Sequence, residues 1–170
     1  MDWIWSDTHF FHENIIKYEK RPFKNSEEMN SILLNNWRET VQAKDKLYHL
    51  GDFSFGGKSV IERMIKPMPG YKILIIGNHD RSHTEKWWRE VGFDAVYSYP
   101  IILDEFFILS HEPLYVGPEM PYANIHGHTH SESSNNPQKF NVSVECINYK
   151  PILLEEVKEE IRKRNIPYKG

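Results

Sequence analysis

A single cysteine, Cys146, excludes an internal disulfide and leaves no partner for a thiolate metal site. Its place in an apolar run suggests a small buried hydrophobe. No apolar run approaches the ~20 residues of a membrane-spanning helix. The opening MDWIWSDTHFF lacks a basic stretch followed by an apolar one, so no signal peptide is expected and the expected location is cytoplasmic. Positive charge is not in excess: the formal net charge is -3, whereas a general nucleic-acid coat protein would be basic. A local basic patch stays open, as in the run Lys17, Lys20, Arg21 and Lys24. Internal repeats, linkers and low-complexity segments are also missing. One domain over residues 1–170 is therefore expected. A chain of this size buries about 70% of its unfolded surface and needs no disulfide to fold.

What the chain has in excess is histidine, nine residues, several of them beside Asp, Asn and Gly in turn-like contexts. The pattern around them alternates strands and helices. Residues 3–6, 46–50 and 71–76 read as strands, the last buried on both faces. A short helix and loop is expected over 12–20. A better helix begins at Asn25, with Met29, Ile32, Leu33, Trp37 and Val41 on one stripe. Helices follow over 60–64 and 84–91, where Trp87, Trp88 and Val91 read as core rather than as a base-stacking platform. The second half reads as strands over 95–99, 101–103, 106–109, 124–126, 140–144 and 151–154, with a hairpin turn at Asp104-Glu105. Residues 131–138 read as a loop, 155–164 as a charged helix, and the last residues as frayed. The expected class is α/β, with two mixed sheets packed as a sandwich and helices outside.

Five short motifs stand where strands are expected to stop: Asp7-Thr8-His9, Gly51-Asp52, Gly77-Asn78-His79-Asp80, His111, and Gly127-His128-Thr129-His130. Ligands of open α/β sheets bind at that carboxyl edge, so the five should converge on one face. Carboxylate, imidazole and amide oxygen together suit divalent Mn, Fe, Co, Ni or Zn; the lack of thiolates argues against Cu(I) or iron–sulfur sites. Glycine before Asp52, Asn78 and His128 lets the backbone turn sharply beside the site. Asp7 and Asp52 bring two negative charges, so two divalent ions would leave about +2, suited to an anionic phosphoryl group.

These residues resemble the calcineurin-like metallophosphoesterases. That family's pattern is D-x-H, G-D, G-N-H-(D/E), H and G-H-x-H, and each element is present in order from residue 7 to residue 130. The resemblance implies a β-sandwich flanked by helices and a phosphate-ester hydrolase with two metal ions, manganese foremost. It implies that Asp7, His9 and His130 hold the first metal, that Asn78, His111 and His128 hold the second, and that Asp52 bridges them. The metals would act as Lewis acids toward the phosphate and the attacking water, while His79 stabilises charge or protonates the leaving group without ligating metal. The stretches SDTHFFHENI, KRPF, YHLGDFSF and NYKPI further resemble a bacterial and phage subgroup of small stand-alone phosphoesterases. One departure stands out. The phosphoprotein phosphatase branch continues as G-D-x-x-D-R-G, whereas Phe55 and Gly56 here replace the acid and the arginine. This argues against phosphoprotein phosphatase activity.

His49 and His126 read as core or supporting residues, His83 as a surface residue before a helix, and Asp80 as a loop holder rather than a ligand. His12, Arg21 and Arg81 are candidates for substrate contact, each weighed against a surface or ion-pairing role. The expected partner is a phosphate ester, foremost a phosphodiester of a nucleotide-like or other small substrate. Two alternatives stand beside it: a nuclease on polymeric nucleic acid, which would need a basic path to the site, and a non-catalytic protein-binding scaffold, against which His79 argues.

Overall fold

The structure, a computed structural model, describes residues 1–132 and 134–164. The expected fraying of the last residues falls outside this range.

Alternation along the strands builds the layers. In β1 (Asp2–Trp5), β2 (Lys46–His49) and β3 (Tyr71–Ile75), successive side chains enter two different cores. Trp5, Leu47 and Leu74 face one; Ile4, Tyr48 and Ile73 face the other. A sheet buried on both sides needs such two-faced strands. The first core is roofed by four helices: α1 (Glu13–Tyr18), α2 (Ser26–Thr40), α3 (Lys58–Ile65) and α4 (Glu85–Val91). Across the second core lie β6 (Phe107–Leu109) and β7 (Ala123–His126), with α5 (Leu154–Arg164) closing its flank through Leu154, Val157 and Ile161.

The first sheet runs β4-β3-β2-β1-β9, with β4 at Ala95–Tyr97 and β9 at Ile152–Leu153. Its first four strands are parallel, and β9 is antiparallel to β1. The second runs β5-β6-β7-β8, with β5 at Ile101–Leu103 and β8 at Lys139–Asn141. Here β5 is antiparallel to β6, while β6, β7 and β8 are parallel. The fold is thus α/β with two mixed sheets and helices outside, as the sequence leads one to expect. Asp104 and Glu105 both take positive φ, 51° and 55°, and form the β5–β6 turn.

Four local expectations need correction. Residues 140–144 are not one strand: β8 stops at Asn141, and a 3-10 turn spans Val144–Cys146. In that turn Val144 enters the core, and Cys146 is exposed rather than buried. Ile32 is 37% exposed, because the buried stripe of α2 runs 29, 33, 37 and passes it by. Residue 154 begins α5 instead of ending a strand.

Among the described residues no helix is long and apolar enough to cross a membrane.

Candidate metal centre

Five strand ends deliver the five motifs. Asp7 and His9 follow β1, Asp52 follows β2, Asn78 and His79 follow β3, His111 follows β6, and His128 and His130 follow β7. Because these strands run parallel within each sheet, their carboxyl ends meet at one edge of the sandwich. Two groups of ligand atoms result. Asp7, His9 and His130 form one; Asp52, His111 and His128 form the other; within each, the atoms lie within 4.8 Å of one another. Asn78 joins the second, its Oδ1 lying 2.8 Å from His111 Nε2 and 2.9 Å from His128 Nδ1. Asp52 Oδ2 sits between the groups, 3.6 Å from His9 Nε2 and 3.4 Å from His111 Nε2.

The chain is bent hard to achieve this. Asp7, His9, Asp52, His128 and His130 take left-handed φ of 58°, 50°, 55°, 69° and 49°. Each such residue costs on the order of 1–3 kcal/mol and persists only where its surroundings impose it, commonly at ligand sites. Two glycines make room. A Cβ on Gly51 (φ 91°) would stand 2.7 Å from His111 Nδ1, and one on Gly127 would run into Ser6 Oγ and Asp7 Oδ2.

The donor chemistry fits cations. Asp7 Oδ1 and His9 Nε2 are buried without a hydrogen-bond partner. Such atoms are costly to leave unmatched, and a cation between them would satisfy both. In the second group, His111 Nδ1 lies 2.7 Å from the Leu50 carbonyl and must donate to it, since a carbonyl only accepts. That leaves Nε2 of neutral His111 facing an amide oxygen, a carboxylate and an imidazole nitrogen. Burial opposes a charge on His111, yet hydrogen bonding to Asp52 and the Asp7 charge lift its pKa to about 9. The same field favours a metal ion. Burial also opposes the charge on Asp52, but His111, the His79 amide and His9 together outweigh it and hold the carboxyl below the usual range. Burial, with the nearby Arg21, His130 and His12, outweighs the Asp52 charge and pushes His9 down to about 2, so its imidazole is neutral and able to ligate.

The residues around these groups divide sharply. Asp80 holds the loop: its carboxylate accepts from the amides of Asp52 at 2.7 Å, Phe53 at 3.0 Å and Gly77 at 2.9 Å. Trp88 Nε1 donates to the Asp80 carbonyl, which ties α4 to the same turn. His49 is buried between Thr8 Oγ1 and the Gly51 amide. Thr8 spends its proton on the Phe53 carbonyl, so His49 Nε2–H donates to Thr8 and Nδ1 accepts. His126 is buried on β7, and His83 is exposed, stacked on Trp87 at 3.8 Å. His79 is 47% exposed at the rim; its amide donates to Asp52 Oδ1, while its Nε2 stays 3.9 Å from Oδ2.

Of the three substrate candidates, His12 reaches the site: it stacks on Phe55 at 4.1 Å, and its Nδ1 is 3.2 Å from His9 Nδ1. Arg81 pairs with Glu112 at 2.5 Å, binding the loop after β3 to the one after β6. Arg21 lies beneath the site rather than on its rim. It donates to the carbonyls of Asp7 at 2.7 Å and Thr8 at 2.9 Å and doubly to Glu145. With side-chain exposures of 0% and 4%, Arg21 and Glu145 form a buried pair. Arg21→Leu would strand Glu145 and two carbonyls, so urea unfolding is expected to show a loss of about 3–5 kcal/mol.

Glu145 is the site residue that pattern reading passed over. It accepts from His130 Nδ1 at 3.1 Å as well as from Arg21. The available signal was its isolation, as the one charged residue in the run 140–149.

Fold and site together define a two-sheet α/β protein whose His, Asp and Asn side chains fit divalent cations. The chain belongs to the same family as the uncharacterized protein MJ1445 of Methanocaldococcus jannaschii, with which it is 36% identical over 95% of its own length and 91% of that protein's. It is 27% identical to the gene 66 protein of Mycobacterium phage D29 over 94% of each chain. Among solved structures it resembles the protein of unknown function AQ665 from Aquifex aeolicus, with a TM-score of 0.72, 31% identity, and coverage of 94% and 98% of the two chains. No family model matches the chain.

Proposed function

We propose that this protein is a metal-dependent phosphoesterase that uses two divalent transition-metal ions, manganese foremost, to hydrolyse a phosphate ester. The observation that carries the reading is Asp52 Oδ2, which faces imidazoles of both ligand groups at 3.4 and 3.6 Å. Asp7, His9 and His130 would hold one ion, Asn78, His111 and His128 the other, and Asp52 both. Bound there, the pair would supply Lewis acidity toward the phosphoryl oxygens and lower the pKa of a water for attack at neutral pH.

The chain's own groups do the rest. His79, at the rim and too far from Asp52 Oδ2 for a hydrogen bond, is free to face a substrate, stabilising phosphoryl charge or protonating the leaving oxygen. Beside His128 and His130 opens a hollow of about 430 Å³, walled in part by Tyr18, Glu19 and Glu132. That volume suits a small ligand. Two acids on its wall, together with Arg21 buried and Arg81 paired, disfavour a polyanion at the hollow itself, while Lys17, Lys20 and Lys24 stay exposed. The preferred substrate is a phosphodiester of a nucleotide-like or other small molecule rather than polymeric nucleic acid.

The test is a metal-by-substrate screen with elemental analysis. About two metals per chain, and hydrolysis of bis(nitrophenyl) phosphate that is lost to a chelator and restored by Mn²⁺, are expected. A firm stoichiometry of one or none, or turnover indifferent to the chelator, would contradict the reading.

A further inference from the structure

One segment touches both outer members of the first ligand group. Ser143 Oγ donates to Asp7 Oδ2 at 2.9 Å, and Glu145 Oε1 accepts from His130 Nδ1 at 3.1 Å. The segment is pinned to β1's extension by the Val144 amide donating to the Ser6 carbonyl at 3.0 Å. Cys146 Sγ adds a contact of 3.1 Å to the His130 carbonyl. Arg21 backs it, gripping Glu145 on one side and the Asp7 and Thr8 carbonyls on the other. None of these groups touches Asn78, His111 or His128.

The hydrogen bonds also select which atoms stay free. Asp7 Oδ2 accepts from Ser143 Oγ and from the His128 amide at 2.9 Å, while Oδ1 is buried and unpartnered. A carboxylate only accepts, so His130 Nδ1 must carry the proton it shares with Glu145, and the lone pair of the neutral ring falls to Nε2. Carboxylate partners of this kind fix the tautomer and orientation of metal-binding histidines.

We infer that the strap 143–146, braced by Arg21, positions Asp7 and His130 and thereby sets the cation affinity of the first ligand group and not of the second. Ser143 and Glu145 are positioning residues. The inference rests on the two-metal reading above, and its test separates the two.

Metal-free wild type, Glu145→Gln and Ser143→Ala are titrated with Mn²⁺ by calorimetry. The imidazole nitrogens of His130 are followed by ¹⁵N NMR in the metal-free proteins. Wild type should take up two ions. Glu145→Gln should weaken one step by roughly 10- to 100-fold and leave the other in place. In the same variant the His130 signals should shift from the Nδ1–H tautomer toward a mixture. Ser143→Ala removes one hydroxyl without disturbing the buried ion pair. It should weaken the same step by about three- to ten-fold, the worth of one hydrogen bond. Unchanged affinities, equal weakening of both steps, or an unaltered tautomer with wild-type binding would overturn the strap's role while leaving the two-metal reading intact. A third ion, lost in Glu145→Gln, would also overturn it, because Glu19, His130 and Glu145 would then be ligating directly. Wild type that binds no ion would remove both proposals.

Discussion

Asp52→Asn is expected to empty both cation positions, whereas His130→Ala empties mainly one. Asp52 is 2% exposed, and its Oδ2 faces imidazoles of both groups. The substitution keeps the shape and an oxygen to accept the His79 amide, so the loop should hold. What it removes is a buried negative charge beside two dications. At an effective dielectric of ~20 and ~4 Å, one such interaction is on the order of 4 kcal/mol, close to three orders of magnitude in affinity. Elemental analysis after dialysis should therefore find Asp52→Asn nearly bare and His130→Ala retaining about one metal per chain. Equal metal loss in the two variants would argue against Asp52 as the shared group.

For His79→Ala the expected result is the reverse: both metals kept and turnover lowered by roughly 10²–10⁴-fold. Asn78 and His79 are neighbours, yet the turn sends them to different tasks. Asn78 Oδ1 lies among the imidazoles of His111 and His128, while the His79 side chain is 47% exposed. The pattern across substrates discriminates its role. A nitrophenyl leaving group departs without a proton, whereas an alkyl or ribose oxygen needs one. A defect that grows with the poorer leaving group identifies an acid; a uniform defect identifies charge stabilisation of the phosphoryl oxygens. Near wild-type turnover on both, with metals retained, would exclude His79 from the chemistry.

Phe55 shows how a departure from a family pattern becomes physical. Where the phosphoprotein phosphatase branch carries an acid, Phe55 stacks on His12 at 4.1 Å and lies 5.0 Å from His79. No carboxylate stands at that position to orient His79, and the rim is aromatic instead.

The seven ligand candidates and the sandwich were legible because both follow from short-range rules. Short apolar strands ending at Gly-Asp, Gly-Asn-His or Gly-His turns announce their own boundaries, and cation ligands must be drawn from a few residue types. Even so, the sequence ranked residues only by type. It offered Arg21 as a phosphate contact because basic residues near a motif often serve so, and it passed over Glu145 altogether. Their partnership spans 124 positions and closes only when β1 and the turn after β8 are brought side by side. Likewise, nothing local announces that five of seven ligand candidates take left-handed φ, since Asp and His tolerate that region without requiring it. Sequence alone thus determined the strand-and-helix order, the edge at which the motifs gather, and the identity of the ligand candidates. Tertiary structure decided which of two arginines is buried, which oxygen of each carboxylate stays free, and how Asp7 and His130 are held. Those outcomes depend on long-range packing in a low-dielectric interior, where each buried donor must find an acceptor that the chain supplies from far away.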